Sequence, residues 1–301
     1  MVERYLKSAW GADTEVYFNA PLKDRHPQAC PIEHANWADY DSVVYVDFTR
    51  IEGGGTIRGL GAYHRMLTFG LHMVSLMVDR DNICQIPDLE RRRLARGAGI
   101  NFEDGEEPAY WEARRKFRPD EFWVPVVNVA GFRAYLKGLP HYKTVHSTDI
   151  PLNYTLDIPV WKSVDIFEFA DVPTVEISPT PTYELGYWGN PRSPFRRQRV
   201  NHFMKTDADT LTVGYNVSRA PRHTNIGKQS QADTMALMGQ CRSVLLTGDC
   251  DFATSGGLIL RAWEAFRLGT HVVVDEAIDP RHLIGPHFER KLGHTNWSYQ
   301  G

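Results

Sequence analysis

Residues 255–276 read "SGGLILRAWEAFRLGTHVVVDE". A small-residue turn leads into a helical pattern, Gly269 stops it, and a short apolar run closes on two acids. Leu258, Ile259, Ala262, Trp263 and Phe266 recur at helical spacing and form one apolar face. Arg261, Glu264 and Arg267 fall three apart on the other face. The stretch therefore predicts a helix–strand unit, with one carboxylate between two guanidiniums near the start of the helix.

The same alternation recurs outward from it. "TEVYFNA" (14–20), "SVVYVDF" (42–48) and "HMVSLMVD" (72–79) read as strands, with a crossover helix over 59–70. "TLTVGYN" (210–216), "SVLLTGD" (243–249) and "THVVVDE" (270–276) read as strands separated by helices over 196–206, 230–240 and 257–268. Strand–helix–strand alternation on both sides argues for two α/β halves with parallel sheets. The proline-bearing stretch 169–190 lacks a helical period and reads as a linker between them, although a strand ending at Gly189 is also expected. The charged stretch 88–125 reads as a helical insertion.

Composition narrows the function classes. The 301 residues carry a net charge of −3, so no global basic field is present and a polyanion would be held by local patches. Cys30, Cys84, Cys241 and Cys250 form no C-x-x-C pair, which argues against a zinc knuckle or a disulfide framework. No leader pattern and no run of 18 apolar residues is present, so the expectation is a cytoplasmic protein without a membrane span. No H-E-x-x-H and no G-x-S-x-G motif occurs.

Rossmann-like halves place ligands at the carboxyl ends of strands, which draws attention to Asp47, Asp79, Asp249 and Asp275. Asp79 suits a general base, with Asp81 a competitor and loop capping the alternative use. "YWGNPRSPFRRQRV" (187–200) joins a Gly–Asn turn, a helix start and Arg192, Arg196, Arg197 and Arg199. Backbone N–H groups and guanidiniums in that order suit a diphosphate; a solvated basic helix face is the alternative. Arg261 and Glu264 suit a phosphate and a ribose diol, against a surface Arg–Glu–Arg ladder. Glu52, Gly53 and Gly54 sit in a Gly-rich loop of weak phosphate character.

Four blocks together resemble a family. "ADYDSVVYVDFTRIEGGG", "HMVSLMVDRDN", "YWGNPRSPFRRQR" and "ILRAWEAFRLGTHVVVDEAIDPRH" follow the order of the GT-B glycosyltransferases. More narrowly, they are similar to the bacteriophage DNA β-glucosyltransferases that act on 5-hydroxymethylcytosine. The resemblance implies an α/β fold of two Rossmann-like domains with parallel sheets facing across a cleft, an acceptor domain over 1–172 and a nucleotide-sugar domain over 173–301. It implies a UDP-sugar-dependent inverting hexosyltransferase, with UDP-glucose as donor and double-stranded DNA carrying a hydroxymethylated pyrimidine as acceptor. Asp79 would be the base; Gly189, Asn190, Arg192, Arg196 and Arg261 would hold the diphosphate, and Glu264 the ribose. Glu52, Gly53, Gly54, Arg114 and Arg115 would face the acceptor; DNA phosphates would be met by Arg91–Arg93 or by Arg114–Lys116, runs for which a solvated helix face is the alternative reading. The family allows Mg or Mn at product release, but no ligand set in the sequence demands a metal. A monomer is expected. The family pattern opens with a strand and a Gly/Asn-containing loop before its first helix, and the expectation from the alignment of blocks is that residue 1 falls inside that helix. Two other readings stay open: a GT-B enzyme with a carbohydrate or small-molecule acceptor, and an inactive DNA-binding relative.

Overall fold

The computed structural model describes residues 1–11, 13–15, 17–18, 30–31, 35–46, 70–76, 120–138, 158–191, 193–217, 222–248 and 253–301. The fold is α/β with two main parallel sheets. The chain divides into two compact units. One comprises Pro125–Phe132 and Asp165–Gly301 with Met1; the other comprises Val2–Val124 and Arg133–Val164.

In the N-terminal unit, α1 (Val2–Trp10) precedes the short pair β1 (Tyr17–Phe18) and β2 (Cys30–Pro31). The main sheet then runs β3 (Ser42–Val46), β4 (His72–Leu76), β5 (Glu121–Val124) and β6 (Val160–Ser163) in sequential parallel order. Val74, Leu76 and Val124 are fully buried, as expected of parallel strands. Leu6 anchors α1, and Tyr5 and Trp10 meet the Trp123 ring edge-on at 6.2 and 5.6 Å. β5 falls inside the stretch expected to be a charged helical insertion. "EFWV" is apolar enough to enter the sheet once Glu121 takes Lys162 as partner at 2.7 Å. The expected helix over 59–70 and residues 88–119 of that insertion lie outside the described residues, Gly70 excepted.

The C-terminal unit contains β7 (Tyr183–Trp188), α3 (Pro194–Met204), β8 (Thr210–Val213), β9 (His223–Ile226), α4 (Gln231–Met238), β10 (Cys241–Leu246), α5 (Leu260–Leu268), β11 (His271–Asp275), α6 (Ile284–Leu292) and β12 (Trp297–Gln300). The remaining helix, α2 (Val129–Gly138), follows β5. The six strands are all parallel, in the order β12-β11-β10-β7-β8-β9. Counted from β7, this is the doubly wound order 3-2-1-4-5-6, whose topological switch point lies between β7 and β10. The 169–190 stretch is therefore not simply a linker. Its prolines end at Pro181, and residues 183–188 become the central strand, free of proline where ladder N–H groups are needed.

One face of this sheet packs Tyr187, Leu245 and Val273 against Val200, Phe203 and Met204 of α3. On the other helices, Trp263 and Phe266 of α5 meet Phe288 of α6 at 5.0 and 4.4 Å between ring centroids. Ser193 and Ser230 cap α3 and α4 by accepting from the N–H groups of Arg196 and Asp233, both at 3.1 Å. Gly269 ends α5 with φ +89°.

The loop before α5 has an unusual neighbour. Residues 125–128, directly after β5, run antiparallel to it: Val127 and Asn128 donate to Gly256 and Ser255 carbonyls at 2.8 Å, and Leu258 donates to the Pro125 carbonyl at 2.7 Å. Chain from the first half of the sequence thus supports the entry to the helix carrying Arg261.

Candidate functional site

The carboxyl end of β7 leads into Gly189 and Asn190. Gly189 has φ +98°, a conformation that favours glycine. A Cβ there would lie 3.3 Å from Cζ of Arg261 and overlap its Nη2. The Arg261 side chain, from the first turn of α5, thus lies against the bare Cα of Gly189. Its Cζ stands 5.4 Å from the centre of the Tyr187 ring. Arg196, from the first turn of α3, reaches the same tyrosine: its Nε donates to Tyr187 Oη at 3.1 Å. Two guanidiniums from two helices thus flank one buried ring at the switch point.

Neither guanidinium is fully satisfied. Arg261 Nε and Arg196 Nη2 are buried from solvent without a hydrogen-bond partner. A buried donor left unpaired costs about 1–3 kcal/mol, so such groups call for a partner. The first turn of α5 also has no side-chain cap, because Ile259 occupies the cap position. Free helix N–H groups beside arginines favour an anion electrostatically.

Glu264 lies one turn beyond Arg261 and is only 7% exposed. Its two oxygens accept from Trp188 Nε1 and Gln231 Nε2, each at 2.9 Å. Arg267 turns elsewhere, donating to the carbonyls of Glu168 and Ala170 at 2.6 and 3.1 Å and covering the Trp263 ring. The surface Arg–Glu–Arg ladder does not form. Helix rotation sends its three members to different neighbours, and Glu264 goes inward. Glu264 is held by neutral donors, each carboxylate oxygen keeping acceptor capacity for a further ligand.

The described arginines after Asn190, Arg196, Arg197 and Arg199, are likewise dispersed. Arg196 turns to Tyr187. Arg199 grips Asp275, with Nη2 to Oδ1 at 2.7 Å and Nε to both oxygens at 3.0 and 3.1 Å. Thr247 Oγ1 and the Ala277 N–H complete the shell of Asp275 at 2.6 and 3.0 Å. The hydrogen bond to Asp275 holds the Arg199 guanidinium above its usual range. Asp275 is fully buried in this ion pair, so it is not the open strand-end carboxylate its position suggested. Arg197 faces outward and is exposed.

Asp79, Asp81, Arg192, Glu52, Gly53, Gly54, Arg114 and Arg115 lie outside the described residues, as do Asp47, Asp249, Arg91, Arg93 and Lys116. Sequence reasoning missed Tyr187, Trp188 and Gln231 as members of the site. "YWGN" carried a hint of the first two, but Gln231 gave no local signal beyond following a helix cap. Among the described residues no group of three or more His, Cys, Asp or Glu could hold a metal ion. No described helix is long and apolar enough to cross a membrane.

No protein-family model matches the chain, and no curated protein does. Solved structures do match. One is CalG4, the calicheamicin glycosyltransferase, at 15% identity and TM-score 0.30, over 86% of this chain and 60% of that one. Another is a glycosyltransferase from Rickettsia africae ESF-5, at 10% identity and TM-score 0.28, over 78% of this chain and 80% of that one. The chain thus spans 60% of the length of the calicheamicin enzyme.

Proposed function

We propose that the chain is a GT-B glycosyltransferase whose C-terminal unit binds the nucleotide diphosphate of a sugar donor at the β7–β10 switch point. The observation that carries this reading is the pair of half-buried guanidiniums, Arg196 and Arg261, each with one buried nitrogen that lacks a hydrogen-bond partner, converging on Tyr187 beside Gly189. A diphosphate supplies the acceptor oxygens that those nitrogens lack. Gly189 gives the Arg261 guanidinium its seat, and Glu264 accepts from a ribose diol while Trp188 and Gln231 fix its carboxylate. Asn190, next in sequence after Gly189, extends this cradle, and the sequence resemblance adds Arg192 to it.

The finer reading follows the sequence resemblance. The donor is UDP-glucose, and the acceptor is the hydroxymethyl group of a modified pyrimidine, 5-hydroxymethylcytosine, in DNA. Asp79 takes the proton of that hydroxyl as its oxygen bonds to the anomeric carbon. The bond from that carbon to the diphosphate oxygen breaks, and UDP leaves with the electron pair. General-base help contributes about 10²–10⁴-fold. Arg192, Arg196 and Arg261 meet the charge that grows on the leaving group, an interaction strongest where charge develops. The acceptor base leaves the duplex stack to reach the donor.

The test is calorimetric titration of UDP into the parent chain and into Arg196→Ala and Arg261→Ala, followed by transfer from labelled UDP-glucose to hydroxymethylcytosine DNA. Each charged hydrogen bond is worth about 1.5–3 kcal/mol, so each variant loses about 10- to 150-fold in UDP affinity. Asp79→Ala keeps UDP affinity and loses transfer. Parent-level UDP binding by both arginine variants would overturn the donor site. Donor hydrolysis without transfer to DNA would point to another acceptor, and DNA binding without turnover to an inactive relative.

A further inference from the structure

The first turns of α3 are anchored differently from the rest of that helix. Its buried side chains, Val200, Phe203 and Met204, all lie in the second half. The first turn carries Arg196 and is held chiefly by polar contacts. Ser193 Oγ accepts from the Arg196 N–H at 3.1 Å, and Arg196 Nε donates to Tyr187 Oη at 3.1 Å. Arg199 lies three positions further on the same face and adds a third anchor. Its Nε and Nη2 grip Asp275, the last residue of β11. The same carboxylate accepts from Thr247 Oγ1, directly after β10, at 2.6 Å. One side chain of α3 thus ties the helix to the carboxyl ends of two strands.

This ion pair is unlike Arg222–Asp209 and Arg242–Glu184, whose members are all exposed and which contribute little. Asp275 is fully buried. Taking such charges out of water costs much of what their attraction returns, so apolar residues of similar volume would often hold the helix as firmly. What apolar residues do not supply is direction. Three contacts between one planar guanidinium and one carboxylate fix the distance and the rotation of the helix together. A slide of α3 by one residue is about 1.5 Å, with a turn of about 100°. The hydrogen bond from Arg196 to Tyr187 does not survive such a step.

We infer that Arg199 and Asp275 are positioning residues, whose ion pair sets the register of α3 that seats Arg196 on Tyr187 and so tunes the affinity for a donor diphosphate. Thr247 orients the carboxylate for that task. The effect on UDP rests on the proposed donor site; the effect on Arg196 is read without UDP.

The experiment compares the parent full chain with Arg199→Met/Asp275→Leu and with Arg199→Lys, each at a temperature where circular dichroism shows it folded. Two signals are read: UDP affinity by calorimetry, and the Arg196 Nε–H resonance in a nitrogen–proton correlation spectrum, assigned by its loss in Arg196→Ala. The apolar pair is expected to regain part of the urea midpoint lost in Arg199→Met. It is nevertheless expected to bind UDP about tenfold more weakly than the parent, the low end of the loss on removing Arg196 itself, and to shift or broaden the Arg196 resonance. Arg199→Lys keeps the charge but not the two-pronged contact, so it should show both effects to a smaller degree. A merely structural ion pair would move the midpoint alone. An unmoved Arg196 resonance in the apolar pair therefore overturns the positioning role, and if that pair fails to fold, the same reading on Arg199→Lys decides it. A moved resonance with parent-level UDP affinity overturns the link to the donor. A parent chain that binds no UDP, while the resonance still moves in the variants, overturns the donor site and leaves the positioning of Arg196 standing.

Discussion

Replacing Gly189 with alanine probes the proposed cradle from the backbone side. The position holds φ +98°, and a residue with a Cβ held in such a region costs about 1–3 kcal/mol. The added methyl would sit 3.3 Å from Cζ of Arg261 and overlap Nη2, so the guanidinium must leave its place over Tyr187. That forfeits a cation–π contact of about 0.5–1 kcal/mol. Gly189→Ala should therefore lose about 1.5–4 kcal/mol of stability in urea denaturation. It should also lose UDP affinity to the extent that Arg261→Ala does, about 10- to 150-fold by calorimetry. The double variant sharpens the point. If the methyl acts by displacing Arg261, then Gly189→Ala adds less than about 0.5 kcal/mol to the binding loss of Arg261→Ala. Parent-like UDP binding by Gly189→Ala, or strictly additive losses, would refute the idea that this glycine exists to seat that guanidinium.

Three further outcomes follow from the described contacts. Glu264→Gln can satisfy only one of the two donors, Trp188 Nε1 and Gln231 Nε2, with its single carbonyl oxygen; stability in urea should fall by about 1–3 kcal/mol, and the preference for UDP over 2′-deoxy-UDP should shrink. Arg199→Met leaves the fully buried Asp275 without its cation and should cost about 3–5 kcal/mol, part of which returns in Arg199→Met/Asp275→Leu; a single variant within 1 kcal/mol of the parent would contradict this. His223 sits between the hydroxyls of Thr210 and Thr212 at 2.9 and 3.0 Å, and burial pushes its pKa below the ordinary 6.5. The unfolded chain therefore binds the proton first, so the contribution of His223 is complete above pH 6.5 and is lost as pH falls through the depressed folded pKa; His223→Gln should flatten that limb of a stability–pH curve measured by denaturant titration.

The helix–strand unit at 255–276 was legible because its signals were local: an apolar stripe, a glycine stop and a β-branched run. The central strand was harder. "YELGYW" holds a glycine and a glutamate, and its neighbours in the sheet, β8 and β10, are supplied by distant sequence. β9 ("HTNI") and β12 ("WSYQ") are edge strands with polar residues, so little periodicity marks them. In the site, Arg196, Arg261 and Glu264 stood out by residue type and spacing. What the spacing could not reveal is which arginines face inward. The pairing of Arg199 with Asp275 and of Trp188 with Glu264 spans 76 residues in each case, beyond the reach of any local pattern.

The hydrogen bonds between residues 125–128 and the loop before α5 bear on how the gene can be cut. The chain passes between its two units at Val124–Pro125, at Phe132–Arg133 and again at Val164–Asp165. A fragment expressed from Asp165 onward would leave the Ser255 and Gly256 carbonyls and the Leu258 N–H without their partners, beside the helix that bears Arg261. Recombination that trades one half of such a protein for another specificity must therefore carry this eight-residue excursion along, with two more junctions than a simple fusion requires.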